Sequence, residues 1–290
     1  MSLVDRQARD LPLDAHLHTD LSPDSDVPID AFAAQAVERG IAEIAITDHV
    51  DFERGAPAYA FSTFAERERV VREAAGRWAD RGLTIQFGVE LTYDRSWEDD
   101  IREHLRHHAY DFTIGSWHDR TDSPYSERQV AGWAAGKTIA EVVGPAFSQV
   151  VAAARSGLFD TLGHIDMVKR YVYPHVTPAD LADAPELYEP ILEALVDSGT
   201  SLEINTSGLR HAVEETYPSA AIVARFHELG GRGITIGSDA HRATQFAWAL
   251  GDGYDAASQA GFEALTFRRG REPVAVPIAT SPNVVGGRSL

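Results

Sequence analysis

Seven β–α units in one chain predict an α/β fold, a closed (β/α)7 barrel of the TIM-barrel kind. Three observations carry that prediction. Short β-like runs alternate with helix-like stretches from about residue 13 to residue 259. The connections are short, which calls for parallel strands joined by helical crossovers. Nearly every β-like run ends in His, Asp, Glu or Asn. Only a closed barrel gathers all its C-terminal strand ends at one mouth, whereas an open sheet spreads them along an edge.

The elements follow in order. The first run is Leu13 to His18, and the helix-like Pro28 to Arg39 follows it up to Gly40. Glu43 to His49 is the second run, trailed by the helical Phe64 to Asp80 and Gly82. Leu83 to Leu91 and Asp111 to His118 are the third and fourth, with Trp97 to Ala109 between them and Thr138 to Arg155 after them. Thr161 to Asp166, Ser201 to Asn205 and Ile234 to His241 complete the strands. Their helices are Pro185 to Asp197, Pro218 to Leu229 and Ala243 to Gln259. Gly157, Gly199 and Gly230, like Gly40 and Gly82, stand where helix-terminating glycines are expected. No linker or internal repeat divides the chain. Residues 1–290 therefore read as a single domain with a motif-bearing core at about 13–241 and a C-terminal helix and tail at 242–290.

Composition narrows the function classes. A chain of 290 residues buries roughly 73% of its surface on folding, enough for a core without staples. Cysteine is absent, which excludes disulfides, thiolate metal sites and a cysteine nucleophile. The net charge of −18, from 44 acidic and 26 basic residues, repels nucleic acid and anionic lipid. An anionic substrate would then need local cations. No apolar run approaches membrane-spanning length, and Met1 to Asp10 is charged rather than signal-like, so a cytoplasmic location is expected.

Six of the twelve histidines sit in the strand tails. His16 and His18 stand two apart on a strand, so both rings point to one side. Gly88-Val-Glu90, Gly115-Ser-Trp-His118, Gly163-His164-Ile-Asp166 and Gly237-Ser-Asp239-Ala-His241 each place a ligand-type side chain shortly after a glycine. Imidazole and carboxylate without sulfur suit Zn, Mn or Fe. The donors exceed what one tetrahedral ion uses, which points to two or three divalent transition-metal ions sharing a carboxylate. Such clusters activate water and clamp phosphate oxygens.

These motifs, with Thr47-Asp48-His49, resemble the ordered signature of the PHP (polymerase and histidinol phosphatase) superfamily. Glu203-Ile-Asn205-Thr-Ser-Gly-Leu-Arg210, Tyr217-Pro218-Ser219 and Lys169-Arg170-Tyr171 are similar to its histidinol-phosphatase branch. The resemblance implies a distorted seven-stranded barrel with a trinuclear metal cluster at its mouth. It implies a first ion on His16, His18, Glu90 and Asp239, with Glu90 bridging to a second on His118 and His164. A third would lie on His49, His241 and Asp24, with Asp26 the alternative. The implied activity is phosphate-monoester hydrolysis on a small phosphorylated metabolite, L-histidinol phosphate first, by attack of a metal-bridging hydroxide. Glu90, Asp239, Arg170 and Arg210 are the expected catalytic residues, and Arg170, Arg210 and Asn205 the expected substrate contacts. A guanidinium fork suits a phosphate.

Two other classes fit parts of the pattern. An amidohydrolase-type barrel also opens with His-x-His, but lacks the Thr-Asp-His motif and would want a strand lysine. A purely structural metal barrel should show gaps in its ligand set, and none is evident. Among the remaining residues, Asp48 and Asp166 are expected to orient imidazoles. Lys169 and the His104, His107 and His108 stretch are expected in solvent. His175 and His227 are expected to be structural. Trp117 could wall the pocket or pack in the core, and His211 could reach the substrate.

Overall fold

A computed structural model describes residues 11–121, 123–126, 129–269 and 272–278. Its strands are β1 (Leu13–Leu17), β2 (Glu43–Ile46), β3 (His49–Val50), β4 (Thr84–Thr92), β5 (Phe112–Ser116), β6 (Thr161–Leu162), β7 (Ser201–Asn205) and β8 (Ile234–Gly237). The ring runs β1-β2-β4-β5-β6-β7-β8 with every neighbouring pair parallel. Ile46 faces Phe87 and His49 faces Glu90, so β3 continues β2 in the same register along β4. The barrel closes where Leu17 bridges Ala240. There Asp239 N donates to His16 O (2.9 Å) and His18 N to Ala240 O (3.0 Å). The expected seven-stranded barrel is the fold.

Every residue of β1, β2, β7 and β8 is buried, as parallel strands covered by helices require. The wrapping helices are α1 (Ile29–Arg39), α2 (Phe64–Ala79), α3 (Glu98–His107), α4 (Val130–Ala134), α5 (Ile139–Ser156), α6 (Val168–Val172), α7 (Pro178–Ala182), α8 (Pro185–Ser198), α9 (Ala220–Glu228) and α10 (Leu250–Gln259). α1 shows why such segments are helical. Phe32, Ala33 and Ala36 share its inner face, and burying Phe32 alone contributes about 1.5–3 kcal/mol. It stops at Gly40 in the left-handed region, φ 74°. α5 opens on a reciprocal cap between Thr138 and Glu141. No helix among the described residues is long and apolar enough to cross a membrane.

Two departures from the sequence expectation concern the C-terminal region. The helix expected over 243–259 begins only at Leu250. Before it Ala247 and Ala249 adopt positive φ. The Gln245 side chain accepts the His241 amide (2.9 Å), and Phe246 turns inward against Phe32 (5.5 Å between centroids). Tertiary contacts there override helix propensity. Beyond α10 lies an antiparallel hairpin, β9 (Ala264–Arg269) and β10 (Glu272–Pro277), where only a tail was expected. Phe267 packs on Phe112 (4.7 Å), and Arg269 pairs with the buried Glu43 (2.7 Å). Phe112 and Glu43 open their strands, so the hairpin covers the barrel end opposite the mouth.

Candidate active site

The strands end earlier than expected, so His18, His118, His164, Asp239 and His241 stand one to four residues past the strand ends. Gly237 makes this packing possible. A Cβ there would lie 2.2 Å from His16 Cβ, so β1 and β8 approach closely enough to set Asp239 beside His16 only with glycine at that point.

Glu90, near the end of β4 and 1% exposed, is the hub. Its Oε2 lies 3.4 Å from His16 Nε2, 3.4 Å from His18 Nε2 and 3.0 Å from His49 Nδ1. Its Oε1 lies 3.3 Å from His118 Nε2 and 2.9 Å from His164 Nε2. Asp239 Oδ1 stands 3.4 Å from His18 Nε2, 3.8 Å from His16 Nε2 and 3.3 Å from His241 Nδ1. Asp24 Oδ2 is 3.3 Å from His49 Nε2 and 3.2 Å from His241 Nε2. All nine sequence-derived metal candidates therefore meet in one place. The alternative, Asp26, is 86% exposed, with its Oδ1 3.9 Å from Arg242 Nη1.

The donor set fits divalent transition metals. Ligand atoms about 2.0–2.1 Å from a tetrahedral ion lie roughly 3.3–3.4 Å apart, close to the separations here. His16–His18–Asp239, His49–Glu90–His118 and His18–His49–His241 each bring three donor atoms within one ion's reach. The tautomers agree. His16 Nδ1 hydrogen-bonds Glu203 Oε1 (2.6 Å) and His241 Nδ1 donates to Asp239 O (3.1 Å). His118 Nδ1 pairs with Thr92 Oγ1 (3.0 Å). Outer nitrogens so engaged leave the Nε2 lone pairs facing inward. Burial opposes charge on His16, but Glu203, Glu90 and Asp239 outweigh it and hold the imidazole well above its usual range. Burial likewise opposes the Glu90 carboxylate, and His118, His16 and His49 hold it well below the usual range.

A cavity of about 680 Å³ opens over this cluster, lined also by Arg170, Tyr171, Asp119 and Arg120. Arg170 is thus the expected substrate contact that lines the cavity. Arg210 does not line it. Its Nη1 donates to Ser238 O (2.8 Å) and its Nη2 to Asp239 O (2.9 Å). Asn205 is fully buried behind Asp239, its amide donating to Glu203 Oε2 and Asp239 Oδ2 (3.2 Å each). These two expected substrate contacts bond the Ser238–Asp239 turn and the Asp239 and Glu203 carboxylates rather than line the cavity. His211 packs against Tyr217 (Nδ1 to the hydroxyl, 3.1 Å). Trp117 packs edge-on against Tyr125 and Tyr171 rather than lining this cavity.

Three supporting residues differ from expectation. Asp48 holds Thr19 through its amide (2.6 Å) and hydroxyl (2.8 Å), not an imidazole. Asp166 pairs with Lys169 (2.8 Å), and Lys169 is buried rather than solvated, 1% exposed. The carboxylate that does orient an imidazole is Glu203, which also accepts the His164 amide (3.0 Å). Its signal was present in Ser201-Leu-Glu-Ile-Asn205, a carboxylate flanked by Leu202 and Ile204 within a strand. Arg120 was missed as well; it stands two residues after the Gly115-Ser-Trp-His118 motif and reaches Asp94 (3.4 Å) beside the cavity. In the helix expected to be solvated, His104 is half-buried against Tyr110 (2.9 Å), while His107 is exposed.

Comparison with known proteins adds the family. A profile of the PHP domain family matches residues 14–207. A probable histidinol-phosphatase of Deinococcus radiodurans is 28% identical over 277 residues, covering 88% of this chain and 96% of the relative. One of Thermotoga maritima is 29% identical, covering 80% and 84%. The crystal structure of histidinol phosphate phosphatase from Lactococcus lactis, complexed with zinc, L-histidinol and phosphate, superposes with a TM-score of 0.80 at 24% identity, over 91% of this chain and 98% of that one.

Proposed function

The chain belongs to the PHP domain family, and on that premise we propose that it is a metal-dependent phosphate-monoester hydrolase whose substrate is L-histidinol phosphate. The observation that carries this reading is the division of Glu90, with three imidazoles on one oxygen and two on the other. That arrangement suits a carboxylate shared between ions. The substrate is suggested by the relatives named histidinol-phosphatase, which this chain matches over most of its length.

His16, His18, Glu90 and Asp239 would hold one ion, Glu90, His118 and His164 a second, and His49, His241 and Asp24 a third. When bound, such ions supply Lewis acidity toward phosphate oxygens and acidify water for attack on phosphorus. The protein's own contribution is placement. Arg170 faces the cavity and offsets charge that grows on the phosphoryl oxygens. The outer hydrogen bonds of His16, His118 and His241 fix their rings in direction, with Nε2 turned toward the cluster. A cytoplasmic setting belongs to this reading, since phosphorylated metabolites are retained there by their charge.

The test is phosphate release from a panel containing L-histidinol phosphate, nucleoside monophosphates and an aryl phosphate. The proposal expects kcat/KM for L-histidinol phosphate to exceed the others by at least about tenfold, about 1.4 kcal/mol of transition-state discrimination. Equal rates across the panel would reduce the reading to an unselective phosphatase.

A further inference from the structure

The Asp239 turn is conformationally demanding. Asp239 adopts φ 51°, a left-handed conformation that a non-glycine residue holds only when its surroundings impose it. Here they do so from several sides. Arg210 spans the turn with one Nη on each of two successive carbonyls, Ser238 O and Asp239 O. From β1, Asp14 accepts the Ser238 amide (2.9 Å) and the Ser238 hydroxyl (2.6 Å). Asn205 and Ser207 donate to Asp239 Oδ2 at 3.2 and 3.3 Å.

The result is a sorted carboxylate. Oδ2 is occupied by donors of the scaffold, and Oδ1 is turned toward His16, His18 and His241. The guanidinium fork matters because two carbonyls that diverge in a left-handed turn need two donors held in one plane, which lysine lacks. We propose that Arg210 is a positioning residue for the Asp239 metal ligand, acting on its backbone, rather than a phosphate contact. The inference rests on the metal-binding reading above, specifically on Asp239 being a ligand. It predicts a site-selective effect, because the Arg210 bonds fall on the Ser238–Asp239 turn, whereas His118 and His164 meet Oε1 of Glu90.

The experiment is metal binding without substrate. Full-length protein is stripped of metal, and Zn²⁺ uptake is followed by competition against chelators of graded strength, for wild type, Arg210→Met and Arg210→Lys. Wild type should take up two to three ions. In Arg210→Met one class of site should weaken by about 10–100-fold, the range seen when the partner that orients a ligand is lost, while another class stays at the wild-type value. Arg210→Lys, which keeps the charge but on a single donor nitrogen, should fall between. Retention of the unaffected class shows that the variant is folded. Wild-type uptake at every class in Arg210→Met, or equal weakening of all classes, would overturn the positioning role. A wild type that binds no ion would instead overturn the metal reading itself, and this inference with it.

Discussion

Replacing Lys169 with methionine isolates the most buried Lys/Arg–carboxylate pair among the described residues. Lys169 Nζ donates to Asp166 Oδ2 (2.8 Å), Thr216 O (2.9 Å) and Glu215 Oε2 (3.2 Å), using all three of its protons. Lys169 and Asp166 are each 1% exposed, while Glu215 is 37% exposed. Methionine keeps the apolar stem and removes the charge. The Asp166 carboxylate, whose Oδ1 has no partner among the described residues, is then left buried and unpaired. Breaking a buried pair from one side costs about 3–5 kcal/mol. The half-exposed Glu215 adds less than about 1 kcal/mol. The sum is a large part of a domain stability of about 5–15 kcal/mol. Urea unfolding of wild type, Lys169→Met and Lys169→Met/Asp166→Asn measures it. The single variant should lose about 3–5 kcal/mol, and the double should recover more than half because no buried charge remains. A loss under about 1 kcal/mol in the single variant would show that water reaches Asp166 and that the pair does not tie α6, with Arg170, to the 215–218 segment.

Other perturbations test separate parts. Glu203→Gln removes the charge beside His16 Nδ1 (2.6 Å) and should weaken metal binding by about 10–100-fold; unchanged chelator competition would contradict the orienting role. Gly237→Ala drives a Cβ to 2.2 Å from His16 Cβ and should cost at least about 1–3 kcal/mol in denaturant titration. Burial, His108 and Arg67 push His104 down to about 4 from an ordinary 6.5. Because the folded value is the lower one, the stability that His104 contributes is complete above pH 6.5 and drains away as pH falls toward 4. His104→Gln should therefore lose less stability than wild type between pH 7 and pH 4, and parallel curves would refute the assignment.

The metal-binding cluster was legible because strand-end position alone gathers side chains in a barrel. His16, His18, Glu90, His118, His164, Asp239 and His241 required only the right strand ends. Residues that act from behind were harder to read. Glu203 sits inside β7, and only its side-chain partner in β1 reveals its use. Lys169 and Arg170 are adjacent, yet one is buried and the other lines the cavity, a division fixed by how α6 lies on the 215–218 segment. Arg210 looked like an anion contact because it follows β7 closely, but the turn bearing Asp239 takes its donors. The hairpin of β9 and β10 was unreadable for another reason. Its buried face is only Leu265, Phe267 and Val276, too short an alternation to separate from a tail.

The most direct test of the central claim is phosphate release from L-histidinol phosphate by one sample in three states: as purified, stripped by exhaustive chelation, and reloaded with Zn²⁺ or Mn²⁺. Activity should fall to background on stripping and return on reloading. Full turnover by the stripped protein would contradict the account, because the imidazole–carboxylate cluster would then have no part in the reaction.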